Sequence, residues 1–157
     1  MMTVTNALRL VKAAGIPFRT AEYQVIEDDF DGKHVASSIG MPNEQVFKTL
    51  VTTNGKKEYF VFVIPVNTEL DLKKAAKAAG QKSIQMLPLK ELTPLTGYVR
   101  GGYSPVGMKK RFPTYMDETA QLFEEISVSA GMRGLQLIIS PDALSGFVSA
   151  SYAELTD

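Results

Sequence analysis

The sequence predicts a mixed α/β fold, and three observations carry that prediction. Two β-rich runs, QVFKTLVTT and KEYFVFVIPV, flank Asn54-Gly55, a dipeptide strongly favoured in two-residue hairpin turns. The stretch DLKKAAKAAG, residues 71–80, places Leu72, Ala75, Ala76 and Ala79 on one side of a helix, lysines on the other, and a closing glycine. Between and beyond these segments strands and helices mix without the strict βαβ alternation of a parallel sheet.

Taken in order, Val4, Leu8 and Val11 recur at helical spacing before Gly15, so 3–14 reads as an amphipathic helix. A strand from Phe18 to Val25 follows, and then a short helix over 33–39 stopped by Gly40. In the hairpin, a two-residue turn pairs Thr53 with Lys56, Leu50 with Tyr59 and Lys48 with Val61. Residues 88–95 add a turn of helix. After a glycine-rich loop, FPTYMD, EEISVSAG and GLQLII read as strands. SPDALSGFVSA reads as a helix with Ser140 as N-cap and Pro141 at its first position. At 157 residues and 45% hydrophobic content, with no linker, repeat or low-complexity stretch, the chain is expected to be one domain, 1–157.

Composition excludes several chemistries. Seventeen basic residues balance seventeen acidic ones, so no global field draws the protein to nucleic acid or an anionic membrane, and any such contact must be local. With no cysteine there is no disulfide, no thiolate metal site and no protein thiol nucleophile; the lone histidine, His34, leaves little for a triad or a zinc site. No metal or cofactor is expected. The N-terminal stretch shows neither a signal peptide nor a membrane span, so a cytoplasmic address is the expectation.

Four sets of residues could carry function. Strand alternation puts Lys48 on one face with Val46, Leu50, Val61 and Val63. Its stem could lie along that face with the ammonium at the sheet edge. Alternatively, a partly desolvated ammonium could serve a phosphate or carbonyl oxygen. His34, beside charged residues, is assigned no role. Lys109, Lys110 and Arg111 are either a solvated face or, next to the glycine loop GGYSPVG, holders of phosphate. Ser104 and Ser129 lack an evident base, so they suit hydrogen bonding to a substrate better than attack on it.

FKTL (47–50), PVNTELDLKKAAKAAG (65–80), TGYVRGGYSPVGMKKRFPTYMDE (96–118) and ISVSAGMRGLQL (126–137) together resemble the YbaK/EbsC family of free-standing aminoacyl-tRNA deacylases, relatives of the editing domain inserted in bacterial prolyl-tRNA synthetases. The resemblance runs from about residue 6 to the C-terminus. It implies a curved, largely antiparallel sheet with flanking helices. It places Lys48 on the family's essential lysine and Gly101 and Gly102 on the loop whose backbone lines the substrate pocket, while Tyr23, Ser129 and Gly131 match further pocket positions. The implied activity is removal of cysteine from cysteinyl-tRNA(Pro), with cysteinyl-tRNA(Cys) a further substrate, through attack of the substrate's own thiol on its ester. The implied partners are the tRNA acceptor end, which Pro105 and the basic Lys109, Lys110 and Arg111 would favour, and prolyl-tRNA synthetase. An alanyl-tRNA(Pro) deacylase using water and a non-catalytic tRNA- or synthetase-binding module are the competing readings. Where the family pattern has Ser-Gly-Gly-Lys-Arg-Gly and then an aspartate, this chain has Ser129-Ala130-Gly131-Met132-Arg133-Gly134 and Gln136, so one basic and one acidic residue are missing.

Overall fold

The computed structural model describes residues 4–157; Thr3, where the predicted first helix starts, lies outside them. The elements run α1 (Asn6–Ala13), β1 (Phe18–Glu22), α2 (Gly32–Ile39), β2 (Phe47–Thr53), β3 (Tyr59–Pro65), α3 (Leu72–Ala79), β4 (Gln85–Met86), α4 (Leu89–Thr96), β5 (Thr114–Asp117), β6 (Ile126–Met132), β7 (Leu135–Ile139), α5 (Pro141–Val148) and β8 (Ala150–Ala153). They form a mixed α/β architecture with two sheets. A three-stranded antiparallel sheet has the order β1-β7-β6, and a five-stranded sheet has the order β4-β2-β3-β5-β8. Antiparallel pairing dominates, while β3-β5 and β5-β8 are parallel. An isolated parallel bridge, Val46 with Ser127, stitches the two sheets together.

Four of the five described α-helices start where the sequence supplies an oxygen for their orphan amides, α4 following Pro88 without a side-chain cap. Thr5 accepts from Leu8 N, Asp31 from Lys33 N, Asp71 from Lys73 N and Lys74 N, and Ser140 from Ala143 N. Gly40 and Gly80 end α2 and α3 in the left-handed conformation, as their positions in the sequence predict. Residues 88–95 were expected to add one turn; α4 is a two-turn helix closed by Gly97. The first strand stops at Glu22, short of the expected Val25, although Tyr23 N still donates to Gly134 O at 3.0 Å.

The hairpin differs from its prediction in register. Lys48 pairs with Ile64, Leu50 with Phe62 and Thr53 with Tyr59, so the connection spans Asn54–Glu58. Asn54 Oδ1 accepts from Lys56 N at 2.8 Å and Thr53 Oγ1 donates to Glu58 O at 2.9 Å, a local network that holds the longer loop and leaves Lys56, Lys57 and Glu58 in solvent. The shift is odd, so it exchanges the faces of β3. Val61 and Val63 join Phe47 and Val51 between the sheets, with Ala7, Leu8 and Val11 of α1, Val128, Leu137 and Leu144. Phe60, Phe62 and Ile64 turn to the opposite face against Ala75 and Ala76 of α3, with Ile84 and Leu155. A fully buried side chain of this size contributes about 1.5–3 kcal/mol, and the two-sided burial of β2 and β3 explains their continuous apolar runs. A third, smaller cluster of Ala36, Val46 and Val66 seats α2 beside the bridge to β6.

Candidate functional site

Next to the Val46–Ser127 bridge a cleft of about 270 Å³ opens. Two residues further along each bridged strand stand Lys48 and Ser129, and both line it. Tyr23, Phe30, Gly32, Val66, Arg100, Gly101, Tyr103 and Gln136 contribute to the remaining walls. Gly32 is required by close approach: a Cβ there would lie 2.4 Å from Val66 Cγ1.

Lys48 is half-buried on the face it shares with Leu50, Phe62 and Ile64. Among the described residues no carboxylate lies within ion-pair distance of it. Its stem is packed while its charge stays available to something in the cleft. Opposite, Gln136 is buried at 4% exposure and its Oε1 accepts from Ser127 Oγ at 2.8 Å. Ser129 Oγ accepts from Gly131 N at 3.1 Å. The hydroxyls of Thr49 and Tyr103, two further lining residues, are buried without a hydrogen-bond partner among the described residues, an arrangement that costs free energy until something polar meets them. Burial pushes the Tyr103 hydroxyl above the ordinary phenol range, against a smaller opposing pull from Arg100, so it is a donor at neutral pH. Among the described residues no Cys, His, Asp or Glu lines the cleft.

The glycine loop divides its predicted residues between the cleft and its own architecture. Gly101 lines the cleft, and its N–H has no acceptor among the described residues. Gly102 does not line it: its N–H is spent on Val99 O at 2.9 Å and its Cα faces the backbone of Met132. Ser104 is fully buried and its Oγ accepts from Val106 N at 3.2 Å, which makes it a loop-shaping hydroxyl rather than a wall of the cleft. Gly131 sits at φ +102° in the irregular end of β6, against the Tyr98 ring, and shapes the strand behind the cleft. Lys109 lies over Gly97, with Nζ donating to Pro94 O at 3.4 Å, and Lys110 and Arg111 line a separate groove with Phe112 and Phe147. None of these three cations is at the cleft. The arginine that does line it is Arg100; Arg133 stands behind it, and their guanidinium carbons lie 4.1 Å and 4.3 Å from the centre of the Phe30 ring, itself a wall of the cleft. The sequence signalled them only weakly, as neighbours of Gly-Gly and of the β6–β7 turn.

The family model of the aminoacyl-tRNA editing domain matches residues 30–147, a span that contains Lys48, the glycine loop and the β6–β7 turn. The chain belongs to the aminoacyl-tRNA editing domain family. A relative of this editing domain in Enterococcus faecalis, provisionally named Cys-tRNA(Pro)/Cys-tRNA(Cys) deacylase EbsC, is 48% identical over 152 residues, which cover 97% of this chain and 93% of the relative. A proline–tRNA ligase of Trichlorobacter lovleyi is 26% identical over 96 residues, 61% of this chain but 17% of the ligase. Among solved structures, one provisionally described as a trans-editing enzyme for prolyl-tRNA synthetase superimposes with a TM-score of 0.84 at 24% identity, covering 99% of each chain. That likeness shows that the editing-domain fold extends over the whole length. No helix of the described residues is long and apolar enough to cross a membrane.

Proposed function

We propose that this editing domain removes cysteine from cysteinyl-tRNA(Pro), with cysteinyl-tRNA(Cys) as a second substrate, and that the substrate supplies the nucleophile. The observation that carries this reading is the make-up of the cleft: among the described residues it is lined by a lysine and several hydroxyls, but by no cysteine, histidine or carboxylate to attack an ester or activate water. Its support from outside the cleft is the 48% identity to the E. faecalis relative.

In the reaction the cysteine sulfur attacks the carbonyl carbon of its own ester, the bond from that carbon to the ribose oxygen breaks, and the thiol proton ends on the released hydroxyl. The products are a cysteine thiolactone and uncharged tRNA. Intramolecular attack gains from proximity alone, so the protein has only to hold and polarise the ester. Lys48 and the free Gly101 N–H serve the carbonyl oxygen as charge develops on it. Tyr23, Tyr103 and Ser129 orient the aminoacyl group and ribose. Gly102, Ser104 and Gly131 act one step back, by fixing the loop and strand end that place those groups. Lys109, Lys110 and Arg111 meet the acceptor stem away from the ester, and prolyl-tRNA synthetase presents the mischarged tRNA to a chain with no net charge to attract it.

The test is incubation with cysteinyl- and alanyl-tRNA(Pro), following loss of each ester. Rapid loss of the cysteinyl ester only is expected, and equal rates on both would remove the substrate thiol from the mechanism.

A further inference from the structure

We infer that Arg100, stacked with Arg133 on Phe30 at the mouth of the cleft, is the binding point for a phosphodiester of the single-stranded acceptor end. This rests on the reading of the cleft as the place where an aminoacylated terminal nucleotide enters. Both guanidinium carbons lie within 4.3 Å of the Phe30 ring centre, close enough for cation–π attraction to hold two like charges on one ring. Among the described residues neither arginine has a carboxylate within ion-pair distance. The acidic side chains of the neighbouring loop are spent locally, Asp29 Oδ1 on Asp31 N at 2.9 Å and Asp31 Oδ1 on Lys33 N at 2.9 Å, while Glu27 and Asp28 are exposed.

The two arginines differ in what they have left to give. Arg133 is half-buried and donates from Nη2 to Ile26 O at 3.0 Å and Asp29 O at 2.8 Å, so it fixes the loop that carries Phe30. Arg100 is exposed, has no hydrogen-bond acceptor among the described residues, and lines the cleft. Its guanidinium is therefore pre-positioned by stacking, with its donor fork unspent, next to Gly101. That is the arrangement suited to bidentate recognition of a phosphate. An aminoacylated terminal nucleotide whose ester lies between Lys48 and Gly101 must leave the cleft through its mouth, where its phosphate meets this fork. Lys109, Lys110 and Arg111 are elsewhere on the surface, so Arg100 supplies a contact that the basic run does not.

The experiment measures binding without turnover, using a CCA trinucleotide labelled at its 5′ end and, separately, phosphate-free adenosine, across a range of salt. For Arg100→Gln the expected result is about tenfold weaker binding of CCA, from loss of charge-assisted hydrogen bonds. The slope of log affinity against log salt should fall by about 0.7 for one lost phosphate contact, with adenosine binding unchanged. Arg100→Lys should keep the salt slope while recovering only part of the affinity, because an ammonium lacks the stacked fork. Unchanged CCA affinity and slope in Arg100→Gln, equal weakening of adenosine, or wild-type protein that binds CCA no better than adenosine would each overturn the proposal. Failure of the deacylase reading would appear separately, as a stable cysteinyl ester in the activity assay.

Discussion

A methyl group placed on Gly101 would lie 2.8 Å from Cγ and 2.9 Å from Nε of Arg133, so this glycine is the gap through which that arginine reaches Phe30. The family resemblance places the backbone of both loop glycines along the substrate pocket. For Gly101 the crowded direction is toward the β6–β7 turn instead. Gly101→Ala therefore meets two obstacles: a backbone at φ +86°, which costs a non-glycine residue about 1–2 kcal/mol, and a displaced arginine. The expected result is a modest fall in melting temperature with a larger rise in KM for aminoacyl-tRNA, read by thermal melts and steady-state kinetics. Wild-type KM and melting temperature would mean that the gap is not needed.

Gly102→Ala should behave differently. Its new Cβ would lie 3.0 Å from Met132 Cα and 3.2 Å from the Met132 carbonyl carbon, main-chain atoms that cannot rotate away. Stability and activity are expected to fall together. A variant that melts like wild type yet loses turnover would instead put the Gly102 backbone at the reacting carbonyl.

Lys48→Ala should leave the fold within about 0.5 kcal/mol of wild type, since only part of the stem is packed and no described ion pair is broken. Turnover of cysteinyl-tRNA(Pro) should drop by about 100- to 1000-fold, the usual loss for one electrostatic donor at a developing oxyanion. Lys48→Arg should restore little, because the planar fork does not reproduce a compact ammonium on a half-buried stem. Full activity in a stably folded Lys48→Ala protein would reduce Lys48 to a packed stem with a solvated end.

Asp117 offers a stability test away from the cleft. It is 1% exposed, and its carboxylate accepts from Leu155 N at 3.0 Å and from Thr119 N at 3.2 Å, tying the end of β5 to the chain after β8. Asp117→Ala leaves those amides without partners and should cost about 1–3 kcal/mol in chemical denaturation. Catalytic constants of the folded fraction should be unchanged.

The acid dependence of stability has a named source on α3. Asp71 is held below its ordinary value of 3.8 chiefly by the backbone amide of Lys74, and Glu154 below its 4.5 by its hydrogen bond to Lys74. Depressed carboxylates stabilise the fold above their unfolded values and lose that contribution as pH falls through the folded ones. Lys74, raised above 10.5 mainly by Glu154, contributes below its unfolded value and loses it in strong alkali. Melting temperature should therefore decline below about pH 4, and Asp71→Asn should flatten that decline. Glu154 is exposed and Asp71 and Lys74 are only half-buried, so the effect is small and weakens with salt. An unchanged acid slope in Asp71→Asn would assign the decline to other carboxylates.

By itself the sequence determined the local structure and the chemical inventory. Thr5 is not among the capping residues it singled out, but Ser140 is; Gly40 and Gly80 stop helices where they stand, and the run FKTLVTT is a strand, because caps, stops and strand alternation act over a few neighbouring residues. The absence of cysteine and the single histidine were equally plain, and motif spacing sufficed to point to the family. Tertiary structure decided what those residues face. The register of β2 on β3 depends on burying Phe60, Phe62 and Ile64 under α3 while charged Lys56, Lys57 and Glu58 stay in solvent, a balance that the favoured Asn54-Gly55 turn cannot express. β8 pairs in parallel with β5, a partner far away in the chain, and no short-range signal announces it. The same limit governs the site. Lys48 and Ser129 share a cleft because the Val46–Ser127 bridge brings their strands side by side, and Arg100 and Arg133 meet because both find one aromatic ring. Such contacts arise from packing between distant segments, whose pairing is fixed by the shape of the whole core rather than by any stretch of sequence.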